Sequence, residues 1–280
     1  MKRFFAAAAL LSPSSALLLV GFVLPMGWLI RLSLDRSNEG GVLISDLTAA
    51  NYRYFVHDPF YLAILVRTLV LGVVVALITL VCAYPIALFL FRLRSRWRGL
   101  LVVLTISPML VSSVVRTFGW MAILGEKGFL NQVLQAVGIT SHPLTLMNNM
   151  LGVVVGLVQI EMPVMALALI AGLSRLDPEL EQAAHTLGAR PWRAFLRVTL
   201  PLSSPGIVLG CLLTFVQVIS SFITPTLLGG GRIYLMATTI YEEALETLNW
   251  PLAATISIIL IAVFAMCAAL YERFGPRAVQ

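Results

Sequence analysis

The sequence predicts an all-α membrane protein with six transmembrane helices, and three observations carry that prediction. Of the 280 residues, 59% are hydrophobic and only 11% are charged, where a soluble domain carries roughly a quarter charged residues. Mean hydropathy is +0.94. The apolar residues fall in runs near or above the ~20 residues that a helix needs to cross the hydrocarbon, rather than in the short alternating segments of barrel strands.

The first span is expected at residues 12–30, with a bend at Pro25. Lys2 and Arg3 followed by a small apolar run resemble a signal peptide, but the uncharged stretch outruns a normal signal core, which favours an uncleaved span. The second span is expected at 66–91, the third at 99–123 and the fourth at 150–173. The fifth is expected at 205–228 and the sixth at 250–271. A short amphipathic segment containing Phe55, Phe60, Tyr61, Ile64 and Leu65 leads into the second.

The net charge of +6 does not indicate nucleic acid, because the basic residues sit beside apolar spans, as membrane orientation requires. The cluster Arg92, Arg94, Arg96 and Arg98 pins one side as cytoplasmic. Both termini then lie in the cytoplasm, and the loops with Asp35, Asp46, Glu126 and Glu242 lie outside.

Cys82, Cys211 and Cys267 fall inside apolar runs and read as small hydrophobes, with no disulfide framework or metal spacing. His57, His142 and His185 are scattered in loops. The sequence has no Gly-rich phosphate loop with its lysine, so the chain is not expected to hydrolyse ATP itself. No cofactor and no metal is expected.

Residues 176–207 are anomalous: a long, basic, patterned loop on an apolar chain. Asp177 suits an N-cap and Pro178 the first helical position, while Glu179 and Glu181 suit the positive helix end. Gly188 is placed to stop that helix. Pro191 can open a second helix through Trp192, Phe195 and Leu196, and Pro201 is expected to break it. Ala183 and Ala184 leave a shallow surface that a partner can approach. The physics alone leaves two readings open, a docking element or an amphipathic helix resting on lipid headgroups.

This stretch resembles the EAA loop of ABC importer permeases. Gln182-Ala183-Ala184, Gly188, Val198 and Leu200-Pro201 stand at the spacing of that pattern. Gln182 replaces the family glutamate, with Glu181 beside it, and Val198 replaces isoleucine. Val115 to Trp120 and Phe222 to Gly230, with Tyr84-Pro85, resemble permeases of the spermidine/putrescine import group. The resemblance implies the type I ABC importer (MetI-like) permease fold. Residues 1–61 would form the N-terminal span and periplasmic loop, and residues 62–275 the permease core, with a cytoplasmic coupling loop at 176–204. It also implies partners: a cytoplasmic ATPase dimer, a second and distinct permease, and a periplasmic solute-binding protein. The ATPase would grip Glu181, Gln182, Ala183, Ala184, Gly188, Leu200 and Pro201. The setting is the bacterial inner membrane and its lipid.

Two features are candidates for the transport pathway. Glu161 lies mid-span before Pro163, where a carboxylate costs several kcal/mol unless it faces a cavity or a partner such as Arg116. Arg116 and Arg67 can also be explained by snorkelling to the interface. Phe222, Thr224 and Pro225, ahead of Gly229 to Gly231, mark a helix ending in a flexible turn and a candidate gate. The alternative function, an ion-coupled secondary transporter, would want two related halves and several buried ionisable groups. A membrane-embedded enzyme would want clustered His, Asp or Glu. The sequence shows neither pattern.

Overall fold

The computed structural model describes residues 16–38, 42–93, 95–174 and 176–274. Lys2, Arg3, Arg94 and the start of the first expected span lie outside the described residues. Among the described residues the regular structure is helical apart from one small ribbon, and the chain divides into two compact units. One comprises Met1–Ala63 with Thr239–Val263, the other Ile64–Thr238 with Phe264–Gln280.

In the first unit, α1 (Ala16–Ser33) is long and apolar enough to span a membrane. It contains a wide π-helical turn at Leu19–Val23. Pro25 follows directly, and having no N–H it cannot donate to the Gly21 carbonyl, so the irregularity falls one turn before the proline. Strands β1 (Arg36–Ser37) and β2 (Leu43–Ile44) pair antiparallel, Arg36 opposite Ile44. Helix α2 (Ala50–His57) buries Phe55 against Tyr61, with ring centroids 5.6 Å apart. Asn51 Nδ2 donates to the Ser33 carbonyl at 3.1 Å and to the Asp35 carbonyl at 2.8 Å, which closes the end of α1.

Helix α3 (Pro59–Arg92) runs 34 residues, more than a bilayer crossing needs. Cys82 lies on its exposed face rather than in the core, on a surface that suits lipid. In the second unit, α4 (Arg98–Ile106) tightens into a 3-10 turn at Ser107–Leu110, and Arg98–Leu110 meets Ser113–Ala136, which begins with α5 (Ser113–Leu124), at a bend of 93°. The third span, expected at 99–123, is therefore broken. Pro108 opens the tight turn, Val111 is extended, and Ser112 accepts the Val114 N–H as a fresh N-cap. Helix α6 (Phe129–Ala136) follows.

Helix α7 (Met150–Leu173) forms as the composition dictates, capped by Asn149, whose side-chain oxygen accepts the Gly152 N–H at 2.9 Å. It packs against α10 (Ser204–Ile219). A Cβ on Gly172 would stand 2.6 Å from the Gly206 Cα, so here the two backbones touch. Two apolar clusters fill the unit. One centres on Val75, Val153, Leu157 and Leu228, the other on Ala83, Ala87, Met165 and Leu169.

The fifth span, expected at 205–228, is also divided. After α10 the chain breaks at Ser220 and Ser221, then resumes as α11 (Ile223–Leu228). Helices α12 (Met236–Leu245) and α13 (Trp250–Phe274) complete the chain. Four helices among the described residues are long and apolar enough to span a membrane, and the number reaches six when Arg98–Leu110 with Ser113–Ala136 and Pro191–Leu202 with Ser204–Ile219 each count as one bent span.

Candidate functional site

Two sites emerge, a cavity among the apolar helices and an exposed helical loop. The cavity encloses about 660 Å³. Its wall comes from the two helix breaks and from the middle of α7. Met109, Val111, Ser112, Ser113 and Arg116 flank the first break, and Gln217, Ser220, Ser221, Phe222, Ile223 and Thr224 flank the second. Helix α7 contributes Ile160, Glu161 and Val164. Four of the five residues singled out from the sequence, Arg116, Glu161, Phe222 and Thr224, thus line one space. The fifth, Pro225, is buried behind it, with its carbonyl accepting the Gly229 N–H at 2.9 Å.

The charged pair in this cavity is incompletely satisfied. Glu161 is only 5% exposed, and its Oε2 is buried without a hydrogen-bond partner. Arg116 donates from Nη1 to the Ile160 carbonyl at 3.1 Å, while its Nε is buried and unpartnered. The two groups interact electrostatically without a direct salt bridge. Snorkelling does not describe Arg116, whose guanidinium turns inward to a helix carbonyl. Bare buried polar atoms are costly, and two of them belong to the charged residues that line this cavity.

Helix α5 is fastened around this pair. Trp120 Nε1 donates to Gln159 Oε1 at 3.1 Å, and the Thr117 and Thr224 hydroxyls meet at 3.1 Å. Gln217 and the serines at both breaks escaped the sequence reading. The available signal was a doubled serine at Ser112-Ser113 and at Ser220-Ser221, where a side-chain hydroxyl competes for the backbone.

The loop forms two helices, as its pattern predicts. Asp177 Oδ1 accepts the Glu179 N–H at 2.9 Å and caps α8 (Pro178–Thr186). Gly188 ends it at φ +84°, a left-handed conformation open chiefly to glycine. The second helix, α9 (Pro191–Leu202), runs through Pro201 instead of breaking there. A π-helical turn at Phe195–Thr199 widens the backbone just ahead of that proline, which removes its clash with the preceding turn. The chain bends instead after Leu202, by 63° into α10.

The loop has an inner and an outer face. Glu181 points inward and is ion-paired to Arg92 at the end of α3. Phe195 stacks edge-on against Tyr84 at 5.7 Å, Leu200 packs on the same cluster, and the Tyr84 and Ser203 hydroxyls meet at 2.9 Å. Gln182, Ala183 and Pro201 are exposed, as are Leu187 at 88% and Trp192 at 56%, and Ala184 is half-buried. Ala184, Gly188, Arg193 and Arg197 border a cleft of about 330 Å³. Among the described residues no group of His, Cys, Asp and Glu could hold a metal ion.

The family model described as binding-protein-dependent transport system inner membrane component matches residues 78–280. The chain is 34% identical over 256 residues to the spermidine/putrescine transport system permease protein PotB of Escherichia coli, covering 91% of this chain and 93% of that one. It is 34% identical over 227 residues to the PotB protein of Haemophilus influenzae, covering 81% and 79%. In fold it is similar to a chain of the bacterial alginate ABC transporter solved in complex with alginate pentasaccharide-bound periplasmic protein. The TM-score there is 0.78 at 17% identity, over 99% of this chain and 98% of that one.

Proposed function

This chain belongs to the family of binding-protein-dependent transport system inner membrane components, and from that premise we propose that its cargo is a small polycationic amine of the spermidine and putrescine class. It is a permease subunit of an ABC importer, a multi-pass protein of the inner membrane and a transport component rather than an enzyme. One observation carries the cargo reading. Glu161 lines an open cavity among apolar helices and keeps one carboxylate oxygen buried without a partner, and an ammonium group entering that cavity offsets the cost of the charge. The relatives named as spermidine/putrescine permeases support it.

The chain forms half of the translocation pathway, and a second, related permease supplies the other half. Phe222, Thr224 and Pro225, beside the break at Ser220-Ser221, form a gate that opens and closes by alternating access. The exposed face of α8 and α9, with Gln182, Ala183, Ala184 and Gly188, docks one subunit of a cytoplasmic ATPase dimer. Glu181 and Leu200 hold that face in place from within, and Pro201 lies exposed at its end. Residues 62–275 are the permease core, and residues 1–61 the N-terminal span and periplasmic loop. The termini are cytoplasmic, a reading supported by the arginines at the end of α3. A periplasmic binding protein docks on the opposite side and delivers the cargo.

The test is uptake of labelled spermidine and putrescine by inside-in vesicles carrying the whole importer, with the binding protein added outside. Uptake should require ATP in the lumen and should fall in Glu161→Gln at equal membrane abundance. Uptake driven by an ion gradient without ATP would overturn the assignment.

A further inference from the structure

The cavity beside Glu161 is not a plain cation trap. Its lining carries one carboxylate, Glu161, and one guanidinium, Arg116, so its formal charge is balanced. Arg116 is held from swinging away by its Nη1 bond to the Ile160 carbonyl, one residue before Glu161. The two charges nevertheless form no direct salt bridge, and each keeps a buried polar atom without a partner. A structural ion pair would close on itself, because a buried pair repays its desolvation only with good geometry. Both residues instead line one cavity of about 660 Å³, a space that admits a ligand.

We infer that Arg116 is a specificity and release residue: its fixed positive charge shortens the stay of a cargo ammonium group at Glu161. This rests on the polyamine reading of the cargo. A transport site must bind well enough to admit its cargo and weakly enough to let it go. Glu161 supplies the attraction, and Arg116 keeps that attraction shallow. Met109, Ile160 and Val164 offer apolar wall to the methylene linkers, while Gln217 and Ser221 offer oxygen atoms to the ammonium hydrogens. A strongly anionic or uncharged cargo would find no reason for this arrangement, since Glu161 would repel the one and neither charge would serve the other.

The experiment uses the complete importer purified with its ATPases, second permease and binding protein. Labelled spermidine is loaded, the complex is passed rapidly through a desalting column, and retained label is counted beside the maximal rate of ATP-driven uptake. Arg116→Gln should retain roughly tenfold more spermidine, the scale of one nearby unit charge in a protein interior, while its maximal uptake rate falls. Arg116→Lys, which keeps the charge, should resemble the wild type. Glu161→Gln should retain less. Gln217→Lys adds a second cation to the wall without disturbing Arg116 and should also retain less, which keeps the inference testable if Arg116→Gln fails to insert. Unchanged retention in Arg116→Gln or in Gln217→Lys, at normal abundance, would overturn it. Failure of the wild-type importer to move spermidine at all would overturn the cargo reading beneath it, and this inference with it.

Discussion

Arg92, in the last turn of α3, is ion-paired to Glu181, near the start of α8 and 89 residues further along the chain. The pair ties the end of a long apolar helix to α8. Glu181 is thereby engaged within the chain, while the neighbouring Gln182 is exposed.

Breaking this pair should disturb coupling more than folding. Both side chains are part-exposed, so the stability lost in Glu181→Gln should stay below about 1 kcal/mol. ATP-driven uptake should fall several-fold while ATPase activity of the complex persists. Exchanging the charges, Arg92→Glu with Glu181→Arg, should recover much of the uptake. Equal loss in the single and the exchanged variants would show that the pair itself does not matter.

Gly188 stands at φ +84°, yet nothing lies within 4 Å of where its Cβ would be. A side chain there is strained by the backbone rather than by crowding, at about 1–2 kcal/mol. Gly188→Leu should therefore insert normally and misdirect the angle between α8 and α9. ATP hydrolysis should continue with uptake reduced at least tenfold. Asn tolerates this conformation best among the other residues, so Gly188→Asn should keep most of the uptake. Full transport by the leucine variant would remove the loop from the coupling path.

What the sequence discloses follows from cost. Glu161 and Arg116 were visible because an ionisable group in an apolar run is expensive and demands a reason. Gln217, Ser112 and Ser220 line the same cavity but carry no such penalty, so composition did not single them out. The two breaks, at Val111 and at Ser220-Ser221, interrupt runs that stay apolar on both sides, and hydropathy does not register a bend. The turn of α8 by Gly188 was legible because a left-handed position leaves few residue choices. The direction of Glu181 was not: adjacent helix residues point about 100° apart, and only packing decides which one faces in.

The contact of α7 with α10 depends on missing side chains. Gly172→Ala would place a Cβ 2.6 Å from the Gly206 Cα, and Gly206→Ala would place one 2.9 Å from the Ala168 carbonyl oxygen. Backbone cannot yield locally, so each change should cost about 1–3 kcal/mol and lower the melting temperature in detergent. Gly210→Ala meets the Met165 Sδ at 2.6 Å, the far end of a flexible side chain, and should be milder. Gly119→Ala, with nothing within 4 Å, should be neutral. A reversed ranking would mean that the helices are not in backbone contact.

Helix α12 supplies a pH-dependent term with a defined sign. Burial pushes the Glu242 carboxyl up, and its neighbours Glu246 and Glu243 push it further in the same direction. A raised carboxyl favours the protonated form in the folded chain, so its burden is absent at low pH. The burden grows as pH rises from the ordinary carboxylate range through the folded value, because the unfolded chain ionises freely and the folded chain does not. Glu242→Gln should thus raise the melting temperature in detergent at neutral pH and leave it unchanged near pH ~4, the ordinary carboxylate range. A variant that is less stable at neutral pH would show instead that the ionised Glu242 has a favourable partner in the folded protein.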